Sequence, residues 1–136
     1  MNYLVLDASI ALGWMVDVPA PRISLRTLQL LESGTIGVVP DLWYYEVSSA
    51  LIMAERRGRA SAQLVSSHIS DIERLAAFLE VSPTAPSALI AAAHQSGLTA
   101  YDAAYFELAL RRNLPLATLD NEMVAAAQRA GIELLR

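Results

Sequence analysis

The sequence predicts a single α/β domain with a central parallel sheet and helices on both faces. Three observations carry that prediction. Short apolar runs alternate with helix-length segments along the 136-residue chain, the order that builds a parallel sheet. Gly34, Gly58, Gly97 and Gly131 each close a helical stretch, as helix-stop residues do. Four carboxylates, those of Asp7, Glu46, Asp102 and Asp120, each fall at or near a predicted helix start.

Asn2–Leu6 reads as a buried strand, followed by a helix from about Ser9. A second helix spans Pro21–Glu32 and stops at Ser33-Gly34. Ile36–Val39 is a short apolar strand. Pro40-Asp41 opens a helix that runs to Arg57, with proline at the start where its missing N–H costs nothing. Between Ala60 and Ala77, Leu64, Val65, Ile69, Ile72, Leu75 and Ala76 occupy one helical face. Phe78–Val81 is a strand, Pro83–Ser96 a helix, and Thr99–Arg112 another. Pro115–Leu119 is a strand, Asn121–Ala130 a helix, and Ile132–Leu135 a last strand. Right-handed crossovers put the carboxyl end of every strand, and the start of each following helix, on one edge. Ligands bind at that edge in open α/β sheets.

The length suits one domain, residues 1–136, with a core of its own. The composition is 54% hydrophobic with a mean hydropathy of +0.37, but the apolar residues are dispersed. Runs such as Ile36–Pro40 and Leu89–Ala93 are too short to span a bilayer. Met1–Leu4 leads into the first strand without a basic leader, so the expectation is a cytoplasmic protein with no membrane partner. There is no cysteine, which excludes disulfides, zinc–thiolate sites and cysteine nucleophiles. Ten basic residues face 14 acidic ones, for a net charge of −4. That balance argues against a wide basic face for nonspecific duplex binding. All the basic residues are arginine, so chemistry that needs a lysine is excluded.

Each member of the carboxylate quartet also has an ordinary structural explanation. Asp7 and Asp120 sit where a helix N-cap belongs. Thr99 and Asp102 have the spacing of a capping box. Glu46 lies a turn inside its helix, and Leu42, Trp43 and Ala50 at its i−4, i−3 and i+4 positions give it a partly covered surface. The joint pattern is stronger than any member. Four negative charges at one sheet edge repel one another unless a divalent cation is present. Mg²⁺ or Mn²⁺ bound by carboxylates in a small α/β domain indicates phosphodiester chemistry.

Other motifs carry less. His68 and His94 lack metal-ligand spacing. There is no nucleophile elbow, Gly-rich phosphate loop or Gly-Lys-Ser/Thr. Arg56-Arg57-Gly58-Arg59 reads first as a helix terminus complementing its dipole, and second as a contact for a phosphate backbone. Trp14, Met15, Trp43, Tyr44 and Tyr45 belong either to the core or to an apolar partner surface.

Four segments in order, Val5-Leu6-Asp7-Ala8-Ser9, Pro40–Leu51 with Glu46, Thr99–Tyr105 with Asp102, and Leu116–Asp120, resemble the PIN-domain ribonucleases. The resemblance is strongest to VapC-type toxins of toxin–antitoxin pairs, and it covers the whole chain. It implies a three-layer α/β/α sandwich and a metal-dependent endoribonuclease. Asp7, Glu46, Asp102 and Asp120 are then the catalytic residues and ligands of Mg²⁺ or Mn²⁺, with the hydroxyls of Ser9 and Thr118 in support. It further implies an RNA substrate, a VapB-like antitoxin and a homodimer. Two departures stand out: Ser49 occupies a position that is usually Asn, and Asn121 and Glu122 follow the last Asp, where some members carry another acid. The alternatives are a PIN nuclease of RNA processing without an antitoxin, and a metal-dead binding module. Phosphotransferases of the haloacid-dehalogenase kind and response-regulator receivers are disfavoured, because both need a lysine.

Overall fold

The computed structural model describes residues 2–16 and 19–136. Met1, where the expected leaderless start begins, and Asp17 and Val18 lie outside the described residues. The chain runs β1 (Tyr3–Leu6), α1 (Ala8–Met15), α2 (Arg22–Glu32), β2 (Ile36–Val39), α3 (Leu42–Arg56) and α4 (Ala62–Leu75). A 3₁₀ turn (Ala76–Phe78) leads into β3 (Leu79–Val81), α5 (Pro86–Ser96), α6 (Ala100–Arg112), β4 (Leu116–Ala117) and α7 (Asn121–Ala130).

The four strands form one parallel sheet in the order β3-β2-β1-β4. In one group of helices α1 packs on both α2 and α3, and α4 packs on α3; a second, α5 to α7, packs through α6 across β1 and β4. This is the expected three-layer α/β/α sandwich. β1 lies inside the sheet, and Leu4, Val5 and Leu6 are buried. Such near-continuous apolar runs are what a strand covered on both faces requires. α6 is buried from Ala103 to Ala109, so its small residues let it lie close on the sheet.

Most expected boundaries agree with the structure to within a residue or two. The helix expected from Pro83 begins at Pro86, because a proline at N1 starts a helix more readily than it continues one. The expected last strand, Ile132–Leu135, is reduced to a single bridge between Leu134 and Leu116. Its partner β4 is only two residues long. Only Leu116 of β4 faces the last segment, accepting from Leu135 N and donating to Glu133 O, while Pro115 and Ala117 face β1, so no longer ladder forms.

The helix ends explain most of the local signals. Asp41, Ser61 and Thr99 accept from Leu42 N (3.0 Å), Leu64 N (3.1 Å) and Asp102 N (3.2 Å). Gly97 and Gly131 close α5 and α7 at φ +74° and +75°, a conformation that favours glycine. Gly13 answers a different need. A Cβ there would stand 2.2 Å from the Ser24 hydroxyl oxygen, so the bare backbone lets α1 and α2 approach.

The sheet order sets the position of the site. From β1 the chain moves outward through β2 to β3, then returns to place β4 on the other side of β1. The carboxyl ends of β1 and β4 are therefore neighbours at a topological switch point, where open α/β sheets bind ligands.

Candidate active site

Asp7 directly follows β1. Its backbone N–H donates to Ala117 O at 3.0 Å, which fixes it beside the end of β4. The carboxylate is buried, 6% exposed. Two hydroxyls meet it: Ser9 Oγ and Thr118 Oγ1 each donate to Oδ2 at 2.7 Å. Those hydroxyls also stitch the two loops together. Leu119 N donates to Ser9 Oγ at 2.9 Å, and Asp120 N to Thr118 Oγ1 at 3.0 Å. Ser9 and Thr118 thus hold Asp7 and position Asp120 with the same atoms.

Asp120 is also the N-cap of α7. Its Oδ1 accepts from Glu122 N at 2.8 Å and Met123 N at 3.2 Å, so the capping role and a place in the site are compatible. Asp102 lies in the first turn of α6, behind the Thr99 cap. Glu46 is half-buried on α3, and Tyr105 Oη donates to its Oε1 at 2.6 Å.

All four carboxylates line one cleft of about 500 Å³, with Ser9, Tyr45, Ser49 and Tyr101 among its other walls. Asn121 and Glu122 are exposed and stand outside that lining. His94 is exposed, while His68 lines a different cavity beside Trp14 and Met15. Of the aromatic candidates, Trp43 is core, Tyr44 half-buried and Tyr45 73% exposed in the cleft. Arg56, Arg57 and Arg59 are exposed at the far end of α3.

The electrostatics fit one shared negative field. Burial pushes the Asp7 carboxyl above its usual range; Thr118 and Ser9 oppose that, and the Asp120 charge adds to it. Glu46 is raised by burial, opposed by Tyr105, and raised further by Asp7 and Asp102. Asp102 is raised by burial, then by Asp120, Asp7 and Glu122. Burial, followed by the bond to Glu46 and that residue's charge, keeps the Tyr105 phenol protonated far above neutral pH. It therefore acts as a donor.

Among the described residues, no three acidic or histidine side chains converge into a finished metal cage. The donor set nonetheless suits a hard divalent ion. It is all oxygen and negatively charged, and neighbouring charges in it raise the proton affinity of Asp7, Glu46 and Asp102.

The same shifts give a testable sign for the chelated chain. Three carboxyls bind protons more tightly when folded than at their ordinary values of 3.8 and 4.5. The folded state then holds more protons than the unfolded one, and stability falls as pH rises from those values through the raised folded ones. Thermal melts in EDTA are expected to show a higher midpoint at about pH 5 than at about pH 7.5. Asp102→Asn should flatten the difference; an unchanged slope would mean that the cleft is not under electrostatic load.

Tyr105 escaped the sequence reading. It stands three residues after Asp102, on the same side of α6, and that spacing was the available signal. Its partner Glu46 is 59 residues away, and no local pattern links the two.

The PIN domain model matches residues 4–129. The chain belongs to the PIN domain family. Among solved structures, this PIN domain is similar to PAE2754 from Pyrobaculum aerophilum, with 24% identity and a TM-score of 0.70. That match covers 98% of this chain and 90% of the other. It is also similar to VapBC2 from Rickettsia felis, bound to a DNA fragment from their promoter. There the identity is 15% and the TM-score 0.63, over 99% and 98% of the two chains. At these identities the likeness concerns the fold. No curated protein matches the sequence significantly. Among the described residues, no helix is long and apolar enough to cross a membrane.

Proposed function

We propose that this PIN domain is a Mg²⁺- or Mn²⁺-dependent endoribonuclease and the toxin of a toxin–antitoxin pair. The observation that supports the hydrolytic part is the gathering of four carboxylates, from four chain segments, into one cleft at the carboxyl edge of the sheet. Asp7, Asp102 and Asp120 are assigned as metal ligands, with Glu46 as a ligand directly or through water. When bound, the divalent ion supplies Lewis acidity, lowering the pKa of water and neutralising charge that develops on the phosphate.

The chain's own groups hold that donor set in place. Ser9 and Thr118 fix Asp7 through Oδ2. The α7 N-terminus fixes Asp120 through Oδ1. Tyr105 occupies Oε1 of Glu46, and this sets the direction in which Oε2 points. Tyr105→Phe removes one hydroxyl and keeps the ring. Outer-shell partners of this kind are worth about ten- to a hundredfold in metal affinity or activity. That loss is expected in Mn²⁺ binding followed by titration calorimetry, with the melting temperature little changed. Undiminished Mn²⁺ affinity would remove Tyr105 from the site.

The toxin assignment draws on the likeness to VapBC2. It entails a small VapB-like antitoxin, a toxin homodimer and action on cytoplasmic RNA. The deciding experiment incubates the purified chain and total RNA with Mg²⁺, with Mn²⁺ and with EDTA. Discrete fragments that require the metal are expected. An intact, metal-binding protein that leaves every RNA uncut would overturn the ribonuclease reading in favour of a binding module.

A further inference from the structure

The cleft poses a problem for any nucleic-acid substrate. Its lining holds Asp7, Glu46, Asp102 and Asp120, and among the described residues no arginine or histidine; the chain has no lysine to add. The cluster Arg56, Arg57 and Arg59 lies at the far end of α3, with Arg56 about 15 Å from Glu46 at the rise of a helix. A phosphate backbone therefore finds no side-chain cation in the cleft lining, and beyond the proposed metal ion the grip on the strand falls to uncharged groups.

Two aromatic rings are placed to supply it. Tyr45 is 73% exposed and Tyr101 is 65% exposed. Trp43, Tyr105 and Phe106, on the same two helices, are fully buried. Each exposed tyrosine immediately precedes a carboxylate of the quartet, Tyr45 before Glu46 on α3 and Tyr101 before Asp102 on α6. Both line the cleft. Tyr101 and Leu42 also wall an adjoining, mostly apolar cavity of about 220 Å³, lined further by Pro40, Thr84, Leu89, Ala100 and Ala104, with Asp41 as its one charged residue. The acidic centre thus has exposed ring surface at its rim and an apolar recess beside it. That combination suits base faces better than backbone charge.

We propose that Tyr45 and Tyr101 grip the substrate by stacking on unpaired bases that flank the phosphate to be cut at the carboxylate cleft. The inference rests on the ribonuclease reading and adds two named side chains to the contact with the substrate. A base within a duplex keeps its faces stacked on its neighbours, so a paired strand offers these rings nothing. Stacking is uncharged, and binding should therefore weaken little with salt, unlike a grip made through phosphates.

The test compares two fluorescein-labelled RNA strands of about twelve nucleotides, within the range of single-strand site sizes. One is unstructured and carries bases; the other is abasic, with the same backbone charge. Binding is followed by anisotropy with Ca²⁺ present, and cleavage is assayed separately with Mg²⁺ and Mn²⁺. The unaltered chain is expected to prefer the strand with bases, and to lose that preference when the strand is annealed to its complement. Tyr45→Ala and Tyr101→Ala should each weaken binding to that strand by about five- to a hundredfold and leave the abasic strand unaffected. Tyr45→Phe and Tyr101→Phe keep the ring and should retain the affinity, which a purely structural role for the hydroxyls would not predict. Equal affinity for the two strands, or undiminished binding by the alanine variants in a chain that cleaves RNA, would overturn the stacking inference alone. Absence of any metal-dependent cleavage would overturn the ribonuclease reading, and this inference with it.

Discussion

Asp102→Asn is expected to lower metal-dependent RNA cleavage by more than about a hundredfold while the domain stays folded. The magnitude follows by comparison: loss of an outer-shell partner already costs up to about a hundredfold, and Asp102 is assigned to the inner shell. The amide is nearly the same size as the carboxylate, and the Thr99 cap accepts from the backbone N–H of residue 102, which the substitution leaves in place. α6 should therefore form as before. Asp102 is held above its usual proton affinity by burial and by the charges of Asp120, Asp7 and Glu122. Removing its charge relieves that repulsion. At neutral pH in EDTA the variant should melt slightly higher than the unaltered chain, and added Mn²⁺ should stabilise it less. Cleavage at the normal rate would defeat the ligand assignment. A collapse of the melting temperature would point to a structural role instead.

Trp43→Ala carries the largest expected effect on stability. Trp43 is fully buried and lies one turn before Glu46 on α3. Its ring meets Tyr44 edge to face at 5.1 Å between centroids. Emptying such a position costs about 3–5 kcal/mol in lost contacts and residual cavity, and the aromatic pair adds about 0.5–1.5 kcal/mol. Against a usual total of about 5–15 kcal/mol, that loss leaves a marginal fold. Urea titration should show the midpoint falling with an unchanged slope. Trp43→Phe should cost much less, because the ring volume is largely kept and the indole N–H has no partner to lose. A loss below about 1 kcal/mol for the alanine variant would mean that the site collapses around the vacancy.

Much of the architecture was readable along the chain because its signals are local. Gly34, Gly58 and Gly131 end helices by their backbone freedom, and Asp41 and Ser61 cap them through the next few residues. The apolar runs at β1 and β2 announce strands buried on both sides. The final strand failed for a nonlocal reason: its length depended on how much of β4 remained available to pair.

The sequence by itself determined the α/β alternation and the order of the elements. It also determined four acids at helix starts on one predicted edge. Tertiary structure alone decided that β4 returns beside β1, which brings Thr118 within 2.7 Å of Asp7 across 111 positions of chain. It also decided that Tyr105 reaches Glu46 and that Tyr45 and Tyr101 stay exposed at the cleft while Trp43 is buried. Helix periods and caps are set by neighbours a few residues apart, and they are written in the order of the residues. Contacts across the sheet depend on how packed layers bring distant segments together, and no short window of sequence contains them.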